Sequence, residues 1–268
     1  MKTKIFITGS SGFIGFHTAK KFLDRGFKIH GLDSMNNYYD VSLKKSRLKI
    51  LKRYKNFSFT RGKLENKKIL NNLIFEFKPT IIIHLAAQAG VRYSIENPEA
   101  YLQSNIIGTF NIIEVAKKIN IKHLIIGSSS SVYGANKKIP FQEIDKTDNQ
   151  ISFYAATKKS TESLAHSYSS LWKLPITMLR FFTVYGPWGR PDMAYFKFTK
   201  QILNKKKINI YNKGKMYRDY TYIDDIVDGI YKLIYKTPSI KTNKIKNDSL
   251  SPVAPFRILN IGNTKKIY

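Results

Sequence analysis

Tyr154 and Lys158 stand four residues apart in Tyr154-Ala155-Ala156-Thr157-Lys158, a spacing that puts two side chains one above the other on a helix. A phenol beside an ammonium is a chemical arrangement. Tyrosine titrates near pH ~10, and a positive charge within a few ångströms favours the phenolate and brings it toward use as a base. A further set of hydroxyls lies upstream in the run Ser128 to Ser131. Alone, a Tyr and a Lys at this spacing are ordinary packing and solvation, so the pair takes its meaning from the elements that position it.

The first of these elements opens the chain. Lys4 to Thr8 is a short apolar run with β-branched residues, followed by Gly9-Ser10-Ser11-Gly12-Phe13-Ile14-Gly15 and a helical pattern through Leu23. Strand, glycine turn and helix in this order let a backbone approach a pyrophosphate at the helix N-terminus. A second apolar run from Phe27 to Leu32 ends in Asp33, where a carboxylate can bind the adenosine ribose hydroxyls. The same charge repels a 2'-phosphate, so the spacing favours NAD over NADP.

The alternation then continues. Strands are expected at 57–60, 81–84 and 121–126, and helices at 43–54, 66–77 and 98–119. Near-continuous apolar strands separated by helices predict an α/β fold with a parallel sheet covered on both faces. Ligands in such folds sit at the carboxyl ends of the strands, which places Gly9 to Gly15, Asp33, Leu85 to Gly90 and Gly127 to Gly134 around one site. Ala86, Ala87 and Ala89 leave room for a cofactor there. The Tyr154 helix is expected to run from 152 to 172, with a strand at 175–180. Residues 181–193 have no sustained period and cluster aromatics with Arg190, the pattern of a binding loop. A helix at 194–204, a strand at 208–211, a helix from Asp224 to about 235 and a loop at 236–255 complete the reading.

Composition narrows the class. The chain has 268 residues, 43% of them hydrophobic, and no cysteine, which excludes disulfides, thiolate nucleophiles and cysteine-based zinc sites. No apolar run of eighteen residues is present to span a bilayer, and the first apolar stretch runs straight into the glycine loop, so the chain reads as soluble, cytoplasmic and without a membrane partner. The formal charge of +28 invites a nucleic-acid reading. Its densest stretch, Val41 to Phe75, holds eleven Lys or Arg against one acid, Glu65. Leu48, Leu51 and Tyr54 keep a helical apolar spacing there, which assigns the lysines to the wet side of a packed helix and argues against specific nucleic-acid binding.

The Gly9/Gly12/Gly15 loop, Asp33, the serines before Val132-Tyr133-Gly134, Tyr154 with Lys158, and Arg218-Asp219 together resemble the extended short-chain dehydrogenase/reductase superfamily, in its NAD-dependent epimerase/dehydratase branch. Asn36 to Asp40, Ala89 to Ser94 and the stretch from Arg180 to Met193 look like the UDP-glucuronate 4-epimerases. The resemblance covers nearly the whole chain. It implies a Rossmann-type doubly wound sheet over 1–180, rejoined by 219–236 and 257–263, and a smaller nucleotide-sugar domain from 181–218 and 237–256.

The resemblance also implies roles. Ser129 falls at the catalytic Ser/Thr, Tyr154 at the base, and Lys158 at its partner, which also contacts the nicotinamide ribose. NAD contacts are implied for Gly9, Gly12, Phe13, Ile14, Gly15, Asp33, Leu64, Ala86 and Ala87. Ser130 and Ser131 fall at ligands of the sugar carboxylate with Arg190 nearby, and Arg92 is a further candidate for that anion. Thr183 and Arg218 correspond to positions that hold UDP. No metal is implied, and a homodimer through a four-helix bundle of 98–119 and 152–172 is.

Two departures stand out. Lys63 follows Gly62 where the family usually has a carboxylate that meets the adenine amine. The chain also ends at Tyr268, where relatives continue into further helices of the substrate domain, so a truncated substrate domain is expected. The implied reaction is the interconversion of UDP-glucuronate and UDP-galacturonate through a 4-keto sugar. The rival readings are a UDP-glucuronate decarboxylase, a UDP-hexose 4-epimerase, and an NAD-binding fragment without activity.

Overall fold

In the computed structural model, which describes residues 3–215, 217–240 and 248–267, the first strand β1 (Lys4–Thr8) is buried on both faces. Ile5 and Ile7 belong to one apolar cluster and Phe6 to another, because alternate strand residues point to opposite sides of a sheet. Around β1 a seven-stranded sheet forms from β2 (Lys28–Asp33), β3 (Phe57–Arg61), β4 (Ile81–His84), β5 (His123–Ser129), β6 (Ile176–Phe181) and β9 (Phe256–Ile261). Their order is β3-β2-β1-β4-β5-β6-β9, all parallel. Strand order reverses between β1 and β4, which opens a crevice at their carboxyl ends.

Helices cover both faces. α1 (Phe13–Asp24) and α9 (Ile223–Leu233) put Phe16, Phe22, Ile226 and Ile230 into the cluster with Ile5 and Ile7. On the other face α3 (Lys67–Phe77), α6 (Gly108–Lys118) and α7 (Phe153–Trp172) bring Leu70, Ile112 and Ala165 against Phe6 and Ile82. This is the parallel α/β sheet covered on both faces that the alternating pattern predicts, in the Rossmann-type doubly wound form that the family resemblance implies. Beside it, β7 (Thr183–Tyr185), β8 (Arg218–Tyr222) and β10 (Lys266–Ile267) form a three-stranded sheet in the order β10-β8-β7. No described helix is long and apolar enough to cross a membrane.

Four expectations are corrected. The helix expected at 98–119 is three pieces: α5 (Pro98–Tyr101), a π-helical stretch over Leu102–Ile107, and α6. The wide turn carries buried Asn105, which accepts a hydrogen bond from Gln88 N (2.8 Å) and donates to Gln88 O and Thr157 Oγ1 (3.1 Å each). A short α4 (Tyr93–Glu96) precedes it. The strand expected at 208–211 is absent. Ile208 and Ile210 find no sheet to join, since both edges of β8 are already taken by β7 and β10, and a single 3-10 turn forms at Tyr211–Gly214. Part of the stretch 181–193, read as loop, is β7.

The fourth correction concerns α2 (Val41–Leu51). Its inner face is not purely apolar: Lys44 and Arg47 are buried along with Leu51, while Leu48 is only half-buried. The remaining helix of the chain, α8 (Ala194–Leu203), forms as expected. Residues 248–255 of the expected loop contain neither helix nor strand, and 241–247 lie outside the described residues.

Under the site, Arg180 of β6 donates through Nε and Nη2 to the two carboxylate oxygens of Glu162 on α7, both at 2.9 Å. Both side chains are 2% exposed. Ser128 Oγ donates to the same carboxylate at 2.7 Å. Removing one member strands a desolvated charge, so Arg180→Met should cost about 3–5 kcal/mol in urea unfolding. Adding Glu162→Gln to it should recover part of the loss, and a simple sum of the two single losses would contradict this account.

Candidate active site

One cavity of about 1230 Å³ lies at the carboxyl ends of the strands. Every candidate catalytic, cofactor-binding and substrate-binding residue read from the sequence lines it, from Gly9 in the glycine loop to Arg218 at the start of β8.

At one end is the glycine loop. Gly9 has a φ of 73°, and a Cβ there would sit 2.8 Å from Ala86 N, while a Cβ on Gly15 would sit 2.0 Å from Gly9 O. Only glycine lets α1 start so close to β1. Gly12 caps α1 without a side-chain hydrogen bond, so the first-turn N–H groups of a 12-residue helix remain for an anion. Ser10 Oγ and Ser11 Oγ are buried there without a described partner. Asp33 closes β2 and accepts from Ser11 N at 3.0 Å and Met35 N at 2.8 Å, which fixes its carboxylate at the cavity wall. Leu64, Ala86 and Ala87 line the same part, with Lys63 beside them.

The loop after β4 is held from behind. Thr8 Oγ1 accepts from Ala86 N at 3.1 Å and lies 2.7 Å from His84 Nδ1, whose Nε2 lies 2.9 Å from Thr109 Oγ1. Burial pushes His84 down to about 3, with the Lys158 charge acting the same way, so the imidazole is neutral and the chain of hydrogen bonds needs no ion. An uncapped helix start, a fixed carboxylate and a wall of small residues together fit a dinucleotide such as NAD.

The reactive groups occupy the middle. Ser129 ends β5, accepts from Ser131 N and donates to Ser131 Oγ, both at 3.1 Å. Tyr154 lies in the first turn of α7, a helix whose N-cap Ser152 accepts from Ala155 N at 3.1 Å. Burial raises the Tyr154 phenol above its ordinary value, and a hydrogen bond with Ser129 and the charge of Arg190 pull it back. Lys158 donates to Gly127 O at 2.8 Å. A desolvated ammonium on the Tyr154 helix is thus held by a carbonyl of β5. Burial pushes Lys158 down to about 8, against the attraction of Glu162.

The far end carries the anion ligands inferred from the sequence. Ser130 and Ser131 lie in a 3-10 turn that continues β5 to Tyr133. Arg190 donates through Nε to Asp192 Oδ1 (3.0 Å) and through Nη2 to Asp192 Oδ2 (2.5 Å), while Tyr38 Oη donates to Asp192 Oδ2 at 3.2 Å. Burial, with Asp192 adding to it, pushes Tyr38 up to about 12. Arg92 sits at the exposed rim just before α4. Thr183 pairs with Tyr220 across β7 and β8, which brings it and the exposed Arg218 onto one small sheet.

Sequence reasoning passed over Asp192, Tyr38, Lys44 and Arg47. Lys44 Nζ donates to Asn36 O (2.8 Å) and Asn36 Oδ1 (2.6 Å) at the cavity wall. The signal was available in Lys44, Arg47 and Leu51, whose 3–4 spacing marks one helix face, but two cations disguised it.

Fold and site define a dinucleotide-binding α/β protein built for redox chemistry at a hydroxyl. The chain belongs to the NAD dependent epimerase/dehydratase family, whose model matches residues 5–247. It is 53% identical over 266 residues to Protein CapI of Staphylococcus aureus, covering 98% of this chain and 79% of that one. It is 51% identical over 268 residues to a probable UDP-glucuronate 4-epimerase of Rhizobium meliloti (strain 1021), covering 98% of this chain and 78% of that one. The crystal structure of UDP-glucuronic acid 4-epimerase from Bacillus cereus, in complex with UDP-glucuronic acid and NAD, is similar with a TM-score of 0.85 at 32% identity. That likeness covers 99% of this chain and 79% of that one.

The depressed Lys158 predicts a pH signature. Its folded value of about 8 lies below the ~10.4 of an unfolded lysine, so between these values the unfolded chain binds more protons and Lys158 makes stability rise with pH. In urea unfolding at pH 7, 8.5 and 10, the stability advantage of Lys158→Met over the unsubstituted chain should be largest at pH 7 and shrink toward pH 10. A difference independent of pH would show that Lys158 titrates normally.

Proposed function

We propose that this chain catalyses NAD-dependent 4-epimerisation of a UDP-uronate, interconverting UDP-glucuronate and UDP-galacturonate through a 4-keto sugar. The observation that carries the reading is that the Ser129–Tyr154 pair shares one cavity with both the glycine loop and the Ser130, Ser131 and Arg190 cluster. The uronate itself is taken from the names of the relatives and is supported by that cluster.

Bound NAD+ supplies a reversible two-electron acceptor for the C4–H bond. Gly9, Gly12, Phe13, Ile14, Gly15 and Asp33 would hold it, with Leu64, Ala86 and Ala87 along its path. Tyr154 Oη, as phenolate, takes the C4 hydroxyl proton and returns it once the ketone has turned over. Ser129 Oγ hydrogen-bonds the same oxygen and favours the ionised phenol. Lys158, as a cation below about pH 8, adds positive potential behind both.

A 4-ketone is β to the C6 carboxylate, and such acids lose CO2 when the breaking bond aligns with the carbonyl π system. Ser130, Ser131 and Arg190 hold the carboxylate away from that alignment, with Arg92 at the entrance. Thr183 and Arg218 would take the UDP, Arg218 on its diphosphate. Residues 181–218 and 237–256 are accordingly assigned to nucleotide-sugar binding, and 1–180 with 219–236 and 257–263 to NAD.

We also infer a homodimer through the helices around 98–119 and 152–172, supported by the exposed apolar side chains of Leu102, Ile107, Leu171 and Trp172 on these segments. A cytoplasmic role in making uronates for polysaccharide biosynthesis accords with the substrate. Sedimentation of the purified chain tests the dimer, and a monomer at micromolar concentration would exclude it.

The reaction is tested by following UDP-glucuronate by NMR with the purified chain and NAD. UDP-galacturonate is the expected product. A UDP-pentose with CO2 would assign a decarboxylase, turnover of UDP-glucose alone would assign a hexose epimerase, and NAD binding without UDP-sugar binding would leave an inactive fragment. Tyr154→Phe should lower kcat by about 10²–10⁴, and Ser129→Ala by about 10²–10³. Unchanged rates in either would remove these residues from the chemistry.

A further inference from the structure

Arg47 is 0% exposed and no described carboxylate pairs with it. Nη1 donates to Ser11 O at 3.0 Å and to Tyr39 Oη at 2.9 Å, while Nη2 donates to Trp188 O at 2.5 Å and to Gly189 O at 3.1 Å. Ser11 is the middle of the glycine loop. Trp188 and Gly189 immediately precede Arg190, which faces the sugar end of the cavity. One buried guanidinium therefore spans the two loops that hold the two ligands.

We propose that Arg47 is a positioning residue that couples cofactor binding to the substrate loop. The proposal rests on reading the cavity as a site for NAD and a UDP-uronate. Each end of the tie is constrained. Ser11 is held on its N–H by Asp33 and on its carbonyl by Arg47, so neither of the two peptides that flank it can rotate without breaking a hydrogen bond to a charged group, the stronger kind. At the other end Trp188 has a φ of 58°, a conformation disfavoured for a bulky residue and held by what surrounds it. A dinucleotide that orders Ser11 and Asp33 stiffens the anchor of Nη1, and the rigid fork carries that order to Trp188 and Gly189.

The buried charge sharpens the argument. A desolvated cation whose Nη groups meet only carbonyls and a phenol, and whose Nε has no described partner, is costly to keep, and an apolar side chain would fill the space more cheaply. What an apolar residue cannot do is hold two carbonyl-bearing loops at a fixed separation. The substrate loop has other ties, His17 Nε2 donating to Pro187 O at 2.9 Å and the Phe16 ring edge-on to Trp188 at 6.0 Å. Both come from the body of α1, and a third, Tyr38 Oη donating to Asp192 Oδ2 at 3.2 Å, from the segment after β2; none comes from the glycine loop.

Hydrogen exchange of the amides of residues 186–193, with and without saturating NAD, tests the coupling. In the unsubstituted chain NAD should slow their exchange by roughly tenfold or more. Arg47→Lys keeps the charge but cannot reach both loops, and with NAD equally saturating the slowing should fall within about twofold. His17→Ala should quicken exchange alike with and without NAD. For turnover, Arg47→Lys should raise KM for UDP-glucuronate roughly tenfold and leave kcat within about threefold.

The same NAD-dependent slowing in Arg47→Lys, or none in the unsubstituted chain, would overturn the coupling. An Arg47→Lys chain that is unfolded by circular dichroism would make Arg47 a folding determinant and overturn it too. Because the exchange readout needs NAD alone, failure of the uronate assignment leaves it intact.

Discussion

The close approach of α1 to the turn after β1 is the constraint on which the rest of the structure depends. With a Cβ on Gly15 placed 2.0 Å from Gly9 O, no other residue lets the helix begin where it does. The consequence is electrostatic. The helix start, uncapped by any side chain, faces the mouth of the crevice, and its N–H groups offer a fixed positive end to an anion. The parallel sheet then does the remaining positioning. Strands that all run the same way end on one side, so β1 delivers the glycine loop, β2 delivers Asp33, and β5 delivers Ser129 to the same cavity.

Charges inside this protein are met in different ways. Glu162 and Arg180 neutralise one another beneath the site, and their bidentate geometry recovers much of the cost of desolvation. Lys158 and Arg47 are buried cations held chiefly by carbonyls: Lys158 by Gly127, Arg47 by Ser11, Trp188 and Gly189 together with the Tyr39 hydroxyl, its Nε left without a described partner. Uncompensated positive charge around a cavity makes sense where the ligands are diphosphates and a uronate, which bring negative charge with them. The overall +28 says little about this, since most of the Lys and Arg side chains between 41 and 75 lie outside the buried face of α2.

The sheet and the principal helices were legible because strand runs such as Ile81 to Ile83 are apolar without interruption and the helices between them are bounded by glycine, proline or a capping residue. The place of the candidate site was legible because Gly9 to Gly15, Asp33 and Tyr154 with Lys158 are local patterns, and these segments line one cavity. What escaped notice depended on tertiary contact. Arg47 faces inward because carbonyls from residues 11, 188 and 189 meet it there, far from it in sequence, and Lys44 because the chain before α2 folds Asn36 back onto it. The π-helical turn at 102–107 is of the same kind, since its cause is Asn105 reaching Gln88 and Thr157. The expected strand at 208–211 failed for a complementary reason: alternation is a claim about a partner, and β8 has none to spare.

Asp192 changes how Arg190 should be understood. A guanidinium on a flexible stem would bind a carboxylate in several orientations, and a 4-keto uronate survives only if its carboxylate is kept out of line with the carbonyl. Asp192 grips one edge of Arg190, and Tyr38 in turn holds Asp192, so the guanidinium plane is set before any ligand arrives. The attraction that Asp192 takes from the substrate is offset by the orientation it imposes, because ordering the guanidinium in advance removes that entropy from the binding step. On the proposed function, Asp192 would bear on the reaction's outcome through the plane of Arg190, without touching the sugar.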